Sequence, residues 1–323
     1  MYAVTFSQQQ SRWQSVPDLD PPGPEEVQIR VAYAGINRAD LMQREGNYPP
    51  PPGVTDIPGL EVSGTVTGVG VNVDSLTPGH EVCALLAGGG YAEYVNVDAR
   101  QALPLPQGLS LRDGAGLPEV FATAWLNLFM EGRLKFGERA LLHAGASSVG
   151  QAAIQLCRVF GHPCFVTAGS QAKLDACAAL GADAGFNRHD GSFVEAVKAW
   201  GGADMILDPV GASYLADNQR VLNADGRLVL IGLMGGRHAE LDMGRMLMKR
   251  QRLMGSTLRA KASAAKGDIM QALYAHVWPR LESGEISARV DRCWPIEQVD
   301  AAHACMADNA NAGKMLLAIS EPS

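Results

Sequence analysis

The sequence predicts an α/β protein of two parts, a partly open and mostly antiparallel β-barrel and a doubly wound parallel sheet. Length is the first reason, because 323 residues exceed the roughly 150 expected of one domain. Texture is the second. Up to about residue 118 the chain reads as short strands broken by Gly and Pro, and from about 120 apolar runs of strand length alternate with amphipathic stretches of helix length. The second texture is that of a parallel sheet with crossover helices.

Composition bounds the function. Apolar residues make up 47% and charged residues 19%, which describes a chain with a full core rather than a disordered one. The net charge of −7 argues against nucleic acid or an anionic membrane as the main partner. The six cysteines never approach a C-x-x-C spacing, so neither a zinc ribbon nor a redox dithiol is indicated, and most should be small core residues. No apolar run reaches membrane-spanning length, and the opening Met-Tyr-Ala-Val-Thr-Phe lacks the basic stretch and apolar core of a signal peptide. A soluble cytoplasmic protein acting on small molecules is expected.

In chain order, strands are expected over 27–36, 59–69, 80–86 and 90–97, after a short strand at the start. The run Pro49-Pro50-Pro51-Pro52-Gly53 cannot join a ladder and must be a surface loop. Strands follow over 140–144, 164–168, 184–187, 205–209, 227–231 and 253–258, with helices between them, for example 149–160 and 193–200. A long helix over 262–281, a strand near Val290, a helix over 299–306 and a strand over 315–319 complete the chain. That tail should return to the first domain. The boundaries are residues 1–119 with 260–323 for the first domain and 120–259 for the second.

The most informative stretch is Gly145-Ala146-Ser147-Ser148-Val149-Gly150, where a buried strand runs through small residues into a helix. It is a G-x-S-x-x-G variant of the dinucleotide loop, whose amides and helix dipole can face a pyrophosphate without Cβ obstruction. A chain selecting NAD usually places an acid about 20 residues further on to hold the ribose 2′-hydroxyl. Here the second strand ends in Gly169 and Ser170 with Lys173 close behind and no acid, while Arg188 ends the third strand. Ser170, Lys173 and Arg188 suit a 2′-phosphate, hence NADPH.

These residues, the turn at Gly232-Leu233-Met234-Gly235-Gly236 and the segment Gly35-Ile36-Asn37-Arg38-Ala39-Asp40-Leu41-Met42-Gln43-Arg44 resemble the zinc-independent medium-chain dehydrogenases, in particular the NADPH:quinone oxidoreductases. The resemblance covers the whole chain. It implies a GroES-like catalytic domain, a Rossmann domain inserted into it, and NADPH in a cleft between them. It further implies that Gly145, Ala146, Ser147, Ser148, Val149 and Gly150 hold the phosphates and that Gly169, Ser170 and Lys173 hold the 2′-phosphate. Thr123, Gly232, Leu233, Met234, Thr257 and Leu258 would lie on the nicotinamide side, with Lys314 as a further contact. Asn37 and Tyr48 match residues flanking the nicotinamide ring and are the candidate catalytic donors. A tyrosine often follows the third-strand Asn in this family, whereas Arg188 follows Asn187 here.

Zinc-dependent members carry a Cys in G-x-C-x-x-D and a His in G-H-E, where this chain has Gly35-Ile36-Asn37 and Gly59-Leu60-Glu61. Two first ligands are therefore missing, and no metal is expected. The one Gly79-His80-Glu81 follows a Pro-Gly turn, so His80 is expected at the surface. Hydride transfer without a Lewis acid suits a quinone, already a strong electron acceptor. An NADPH-dependent enoyl or enone reductase uses the same scaffold and is the alternative, and a nucleotide-gated binding protein is a reading of another class. The last strand of the parallel sheet, at a sheet edge, suggests a homodimer.

Overall fold

Alternating burial makes the first long strand. Within β3 (Glu26–Gly35) the apolar Val27, Ile29 and Val31 are buried and the residues between them are half-buried, the period expected of a sheet with one face on a core. The structure, a computed structural model, describes residues 1–7 and 10–320. It divides into two units, Met1–Ala122 with Arg259–Ser323, and Thr123–Leu258.

In the first unit β1 (Tyr2–Ser7) and β2 (Gln10–Ser15) form an antiparallel pair, the second strand of which the sequence reading did not contain. After β3 come β4 (Glu61–Val69), β5 (Glu81–Leu85), β6 (Tyr94–Asp98) and β7 (Ala102–Pro104). The parallel sheet of the second unit then supplies β8 (Ala140–Leu142), β9 (Cys164–Ala168), β10 (Ala184–Asn187), β11 (Ala203–Asp208), β12 (Leu222–Leu230) and β13 (Arg252–Gly255). The chain returns with β14 (Val290–Pro295) and β15 (Lys314–Ala318).

The large sheet of the first unit runs β14-β15-β3-β4-β5-β7, antiparallel except for β14 beside β15. One edge of β3 is divided, with Glu26–Arg30 pairing β6 and Tyr33–Gly35 pairing β15. Ladder shifts within β3 and β4 accompany this division and let the sheet curl into a partly open barrel around Val27, Ile29, Val62, Val82, Val95 and Leu317. The Pro49–Gly53 run lies outside every strand and helix.

The second unit is a six-stranded parallel sheet of order β10-β9-β8-β11-β12-β13. Numbered within the sheet this is 3-2-1-4-5-6, the doubly wound dinucleotide-binding order. Leu141, Phe165, Val197, Ile206 and Leu228 form one core cluster of this unit. Four of the six cysteines are buried and all six are free.

Several bounds differ from expectation: the strand expected over 227–231 already starts at Leu222, that over 90–97 starts only at Tyr94, and that over 140–144 ends at Leu142. The helix expected over 262–281 is two, Ser263–His276 and Trp278–Glu282, because Pro279 has no amide hydrogen and its ring would clash with the carbonyl four residues back. The strand expected over 253–258 ends at Gly255. A helix Pro118–Trp125, unanticipated, runs into a wider π-type turn over Leu126–Glu131 closed by Gly132 N–H on the Asn127 carbonyl at 3.1 Å. Among the described residues no helix is long and apolar enough to cross a membrane.

The tightest contact in the first sheet is at Gly64, where a Cβ would lie 2.0 Å from the Arg30 carbonyl oxygen on β3. Gly64→Ala is expected to destabilise the protein by about 1–3 kcal/mol or more through overpacking, read from the midpoint of chemical denaturation.

Candidate functional site

Gly145–Gly150, Gly169, Ser170, Arg188 and Gly232–Met234 fall at the carboxyl ends of the parallel strands, where ligands of such sheets bind, whereas Thr123 lies in the helix Pro118–Trp125 and Lys314 opens β15 of the first unit. After β8 the chain turns through Ala144, at φ 53°, into Gly145. A Cβ on Gly145 would meet Val166 at 2.7 Å, and one on Gly150 would lie 2.5 Å from the Gly145 carbonyl oxygen, so only glycine lets the turn and helix close on the sheet. Ser147 caps the helix Ser148–Phe160, its Oγ accepting from Gly150 N–H at 3.1 Å. Among the described residues the amides of Ser148 and Val149 have no acceptor. Donors without partners at the start of a thirteen-residue helix, with no side chain in the way, fit a pyrophosphate.

At the end of β9, Ser170 caps the helix Gln171–Leu180 and accepts from the Lys173 amide at 3.3 Å. The Arg188 guanidinium, from the end of β10, packs against Gly169, where a Cβ would lie 3.3 Å from Nε and Nη2. Arg188 pairs with no carboxylate among the described residues. Gly169, Ser170, Lys173 and Arg188 thus gather at two neighbouring strand ends, a set that fits a phosphate. After β12, Gly232 presses on Pro209, and Leu233 and Met234 are 52% and 58% exposed, large apolar groups open to a ligand. Thr257 is exposed and Leu258 buried beyond β13, and Thr123 accepts from Asn127 through its carbonyl at 2.7 Å.

A buried network that the sequence reading missed ties these loops together. The His143 ring nitrogens lie 2.9 Å from Thr167 Oγ1 and 2.7 Å from Asn218 Oδ1. Asn218 donates from Nδ2 to Asp208 at 2.9 Å, and Asp208 accepts the amides of Val210 and Gly211. Asn218 Oδ1 can only accept, so His143 carries its proton on Nε2 and takes the Thr167 hydroxyl on Nδ1. Burial holds His143 below the usual imidazole range, in keeping with that neutral form. The ends of β8, β9 and β11 are therefore locked in register.

The first unit carries a cluster of buried charge. Lys314, 2% exposed, pairs its ammonium with Glu61, which is fully buried, and donates to Asn37 Oδ1 at 2.7 Å. Asn37 Nδ2 donates to Glu61 Oε1 at 3.0 Å, and the other Glu61 oxygen accepts the Glu119 amide at 2.9 Å. The contact requires Gly35, because a Cβ there would lie 2.4 Å from Glu61 Oε1. The ammonium thus meets both Glu61 and Asn37. Beside it, Asp40 accepts the amides of Asn37 and Gly59 and the Tyr91 hydroxyl, and burial raises its carboxyl to about 6. Among the described residues no group of three or more His, Cys, Asp or Glu side chains could hold a metal ion, and His80 is exposed.

Tyr48 belongs to a second group in the same unit. Arg259 lies over its ring at 5.3 Å and donates to Ala87 O, Gln43 Oε1 and, at 3.4 Å, the Tyr48 carbonyl. Burial pushes the Tyr48 hydroxyl up from its ordinary range, and Arg259 draws it down. Arg259, Glu119 and Lys266 had no signal in the sequence beyond being charges at helix and strand boundaries, where charges usually meet water.

Comparison with known proteins gives the same outline. Residues 23–107 match the family model of the alcohol dehydrogenase GroES-like domain and residues 148–273 that of the zinc-binding dehydrogenases. The synaptic vesicle membrane protein VAT-1 homolog of Rattus norvegicus is 30% identical over 94% of this chain and 80% of its own. Quinone oxidoreductase-like protein 2 of the same species is 33% identical over 73% and 68%. Among solved structures, the quinone oxidoreductase of Thermus thermophilus, also solved in complex with NADPH, superposes with a TM-score of 0.83 at 29% identity over 99% and 100%. The CurK enoyl reductase does so at 0.87 and 25%, over 99% of both chains.

Lys314→Met should cost about 3–5 kcal/mol, because it strands the Glu61 charge in the interior. Adding Glu61→Gln should return most of that loss, and equal denaturation midpoints for the single and double variants would contradict it.

Proposed function

This chain belongs to the medium-chain dehydrogenase/reductase family, in its zinc-independent quinone oxidoreductase branch, and on that premise we propose that it reduces quinones at the expense of NADPH. NADPH, when bound, supplies the hydride. The residues at Gly145–Gly150 hold its pyrophosphate on the unpartnered amides of Ser148 and Val149. Gly169 gives the 2′-phosphate a surface without a Cβ, while the Ser170 hydroxyl, Lys173 and Arg188, which no carboxylate among the described residues pairs, supply donors and charge. Thr123, Gly232 to Met234, Thr257 and Leu258 support the nicotinamide end. Asn37 and Tyr48 serve the substrate end, and Lys314, its ammonium engaged by Glu61 and Asn37, acts by orienting the Asn37 amide.

The observation that carries the substrate class is the donor set around Glu61. With Asn37 and Leu60 where zinc-dependent relatives have Cys and His, and with Lys314 neutralising Glu61, nothing there polarises a simple ketone as a Lewis acid would. An electron-poor ring needs no such polarisation. Residues that exclude water and orient the acceptor are enough.

A homodimer is part of the same proposal. Strand β13 is an edge of its sheet, and the neighbouring helix Met243–Lys249 leaves Met243, Leu247 and Met248 74%, 77% and 79% exposed, an apolar surface suited to a second copy. Light scattering at micromolar concentration should give twice the chain mass, and a monomer there counts against it.

Fluorescence titration should show NADPH bound far better than NADH. Removing either Lys173 or Arg188 by alanine should weaken NADPH by roughly one to two decades and leave NADH almost unchanged, the loss of one charge-assisted contact. In a panel of benzoquinones, naphthoquinones, aliphatic ketones and enoyl thioesters, quinones should be consumed fastest by orders of magnitude. Turnover confined to the thioesters would replace this function with that of an enoyl reductase.

A further inference from the structure

Two ionisable groups of the first unit are left over once the Glu61 network is satisfied. Glu119 gives its amide to Glu61, but its own side-chain Oε2 is enclosed without a hydrogen-bond partner. Lys266, on the helix Ser263–His276, is only 3% exposed, and its ammonium has neither a hydrogen bond nor an ion pair among the described residues. A cation on a buried side chain and an acid with one enclosed, unpartnered oxygen are costly unless something else completes them. They do not complete each other, since no ion pair joins them. Arg259, also 3% exposed, and Tyr48 stand in the same group, for Arg259 feels the charge of Glu119 and of Tyr48, and Lys266 that of Glu119 and of Arg259.

We propose that Glu119 and Lys266 together receive the reducible oxygen of the substrate, Lys266 binding it as negative charge develops and Glu119 giving it a proton. The inference rests on the quinone reading above. A quinone that has taken up a hydride, with its two electrons, is a hydroquinone monoanion. The O–H bond of Glu119 breaks and a new O–H bond forms on the aryloxide, leaving a neutral hydroquinone and a carboxylate beside Lys266. Solvent returns the proton to Glu119. The two hydrogens gained by the substrate are thus one hydride and one proton.

The surroundings favour this division of labour. Burial, Glu61 and Asp40 raise the Glu119 carboxyl to about 8, against the opposing charges of Lys314 and Lys266, so it is protonated at neutral pH and close to the working range of an acid. Burial lowers the Lys266 ammonium, Arg259 adds to that, and Glu119 opposes it. The acid is active when protonated, so turnover should fall as pH rises through about 8.

Glu119→Gln keeps the shape and removes the proton. It should lower kcat with a benzoquinone by about 100-fold at neutral pH and abolish the alkaline limb of the pH profile. Lys266→Met removes a charge that holds Glu119 down, so it should move that limb to higher pH while raising KM. The second readout needs no turnover. 4-Nitrophenol, whose ionised form is yellow, should bind the wild type as the phenolate and bind Lys266→Met about tenfold more weakly and without the colour change. Equal binding and colour in both proteins, or an unchanged pH profile in Glu119→Gln with quinone turnover intact, overturns the inference and leaves the quinone reading standing. Lys266-dependent ionisation of the phenol with no quinone turnover keeps the pair and discards the quinone.

Discussion

The ion pair between Lys314 and Glu61 is the constraint on which the first unit depends. Glu61 opens β4 and is fully buried, and Lys314 opens β15 from the far end of the chain. Neither charge could be left alone there. Their contact fixes β15 in register beside β3, orients the Asn37 amide through both of its polar atoms, and seats the Glu119 backbone at the start of the helix Pro118–Trp125. Gly35 is then obligatory, because the carboxylate occupies the space of its Cβ. Most of what distinguishes this site from that of a zinc enzyme follows from one cation sitting against one acid.

The second unit solves a different problem, that of holding loops that carry almost no side chains. Gly145 and Gly150 let the turn and helix close on the sheet and Gly169 lets Arg188 pack against it, yet glycine backbone is intrinsically free to move. His143, Thr167, Asn218 and Asp208 compensate from below, crossing three strand ends with hydrogen bonds inside the sheet. Rigidity is supplied by residues that need never touch the ligand. The same logic places the exposed Leu233 and Met234 on a turn braced by Met234 N–H and Gly235 N–H to the Pro209 and Val210 carbonyls.

Regular elements were legible in the sequence wherever period and punctuation agreed. Cys164–Ala168 and Ala184–Asn187 carry continuous apolar or small residues between helix ends and turn residues, and they appear with the expected bounds. Ser147 and Ser170 announce their helices because a cap is a local property of a few residues. The break before Pro279 is open to the same local reasoning but is masked, since the surrounding Ile269, Leu273 and Leu281 keep helical spacing across it. The charge clusters were not legible. Glu61 and Lys314 lie 253 positions apart in the chain, and only folding tells a buried lysine from a solvated one. Arg259, Lys266 and Glu119 were invisible for the same reason.

The interleaving of the two units sets an order on the birth of the molecule. Thr123–Leu258 is continuous, and all partners of its sheet have left the ribosome once β13 has emerged. The other unit must wait for its last strand, because the Tyr33–Gly35 edge of β3 and the acid on β4 are both completed by β15. Until then a nascent chain holds an unfinished barrel with a bare strand edge and a carboxyl that still prefers water. Closing that circuit over nearly the whole chain is a slow, non-local event. Emergence of β15, rather than collapse of the first hundred residues, is the moment at which the Glu61 network can form.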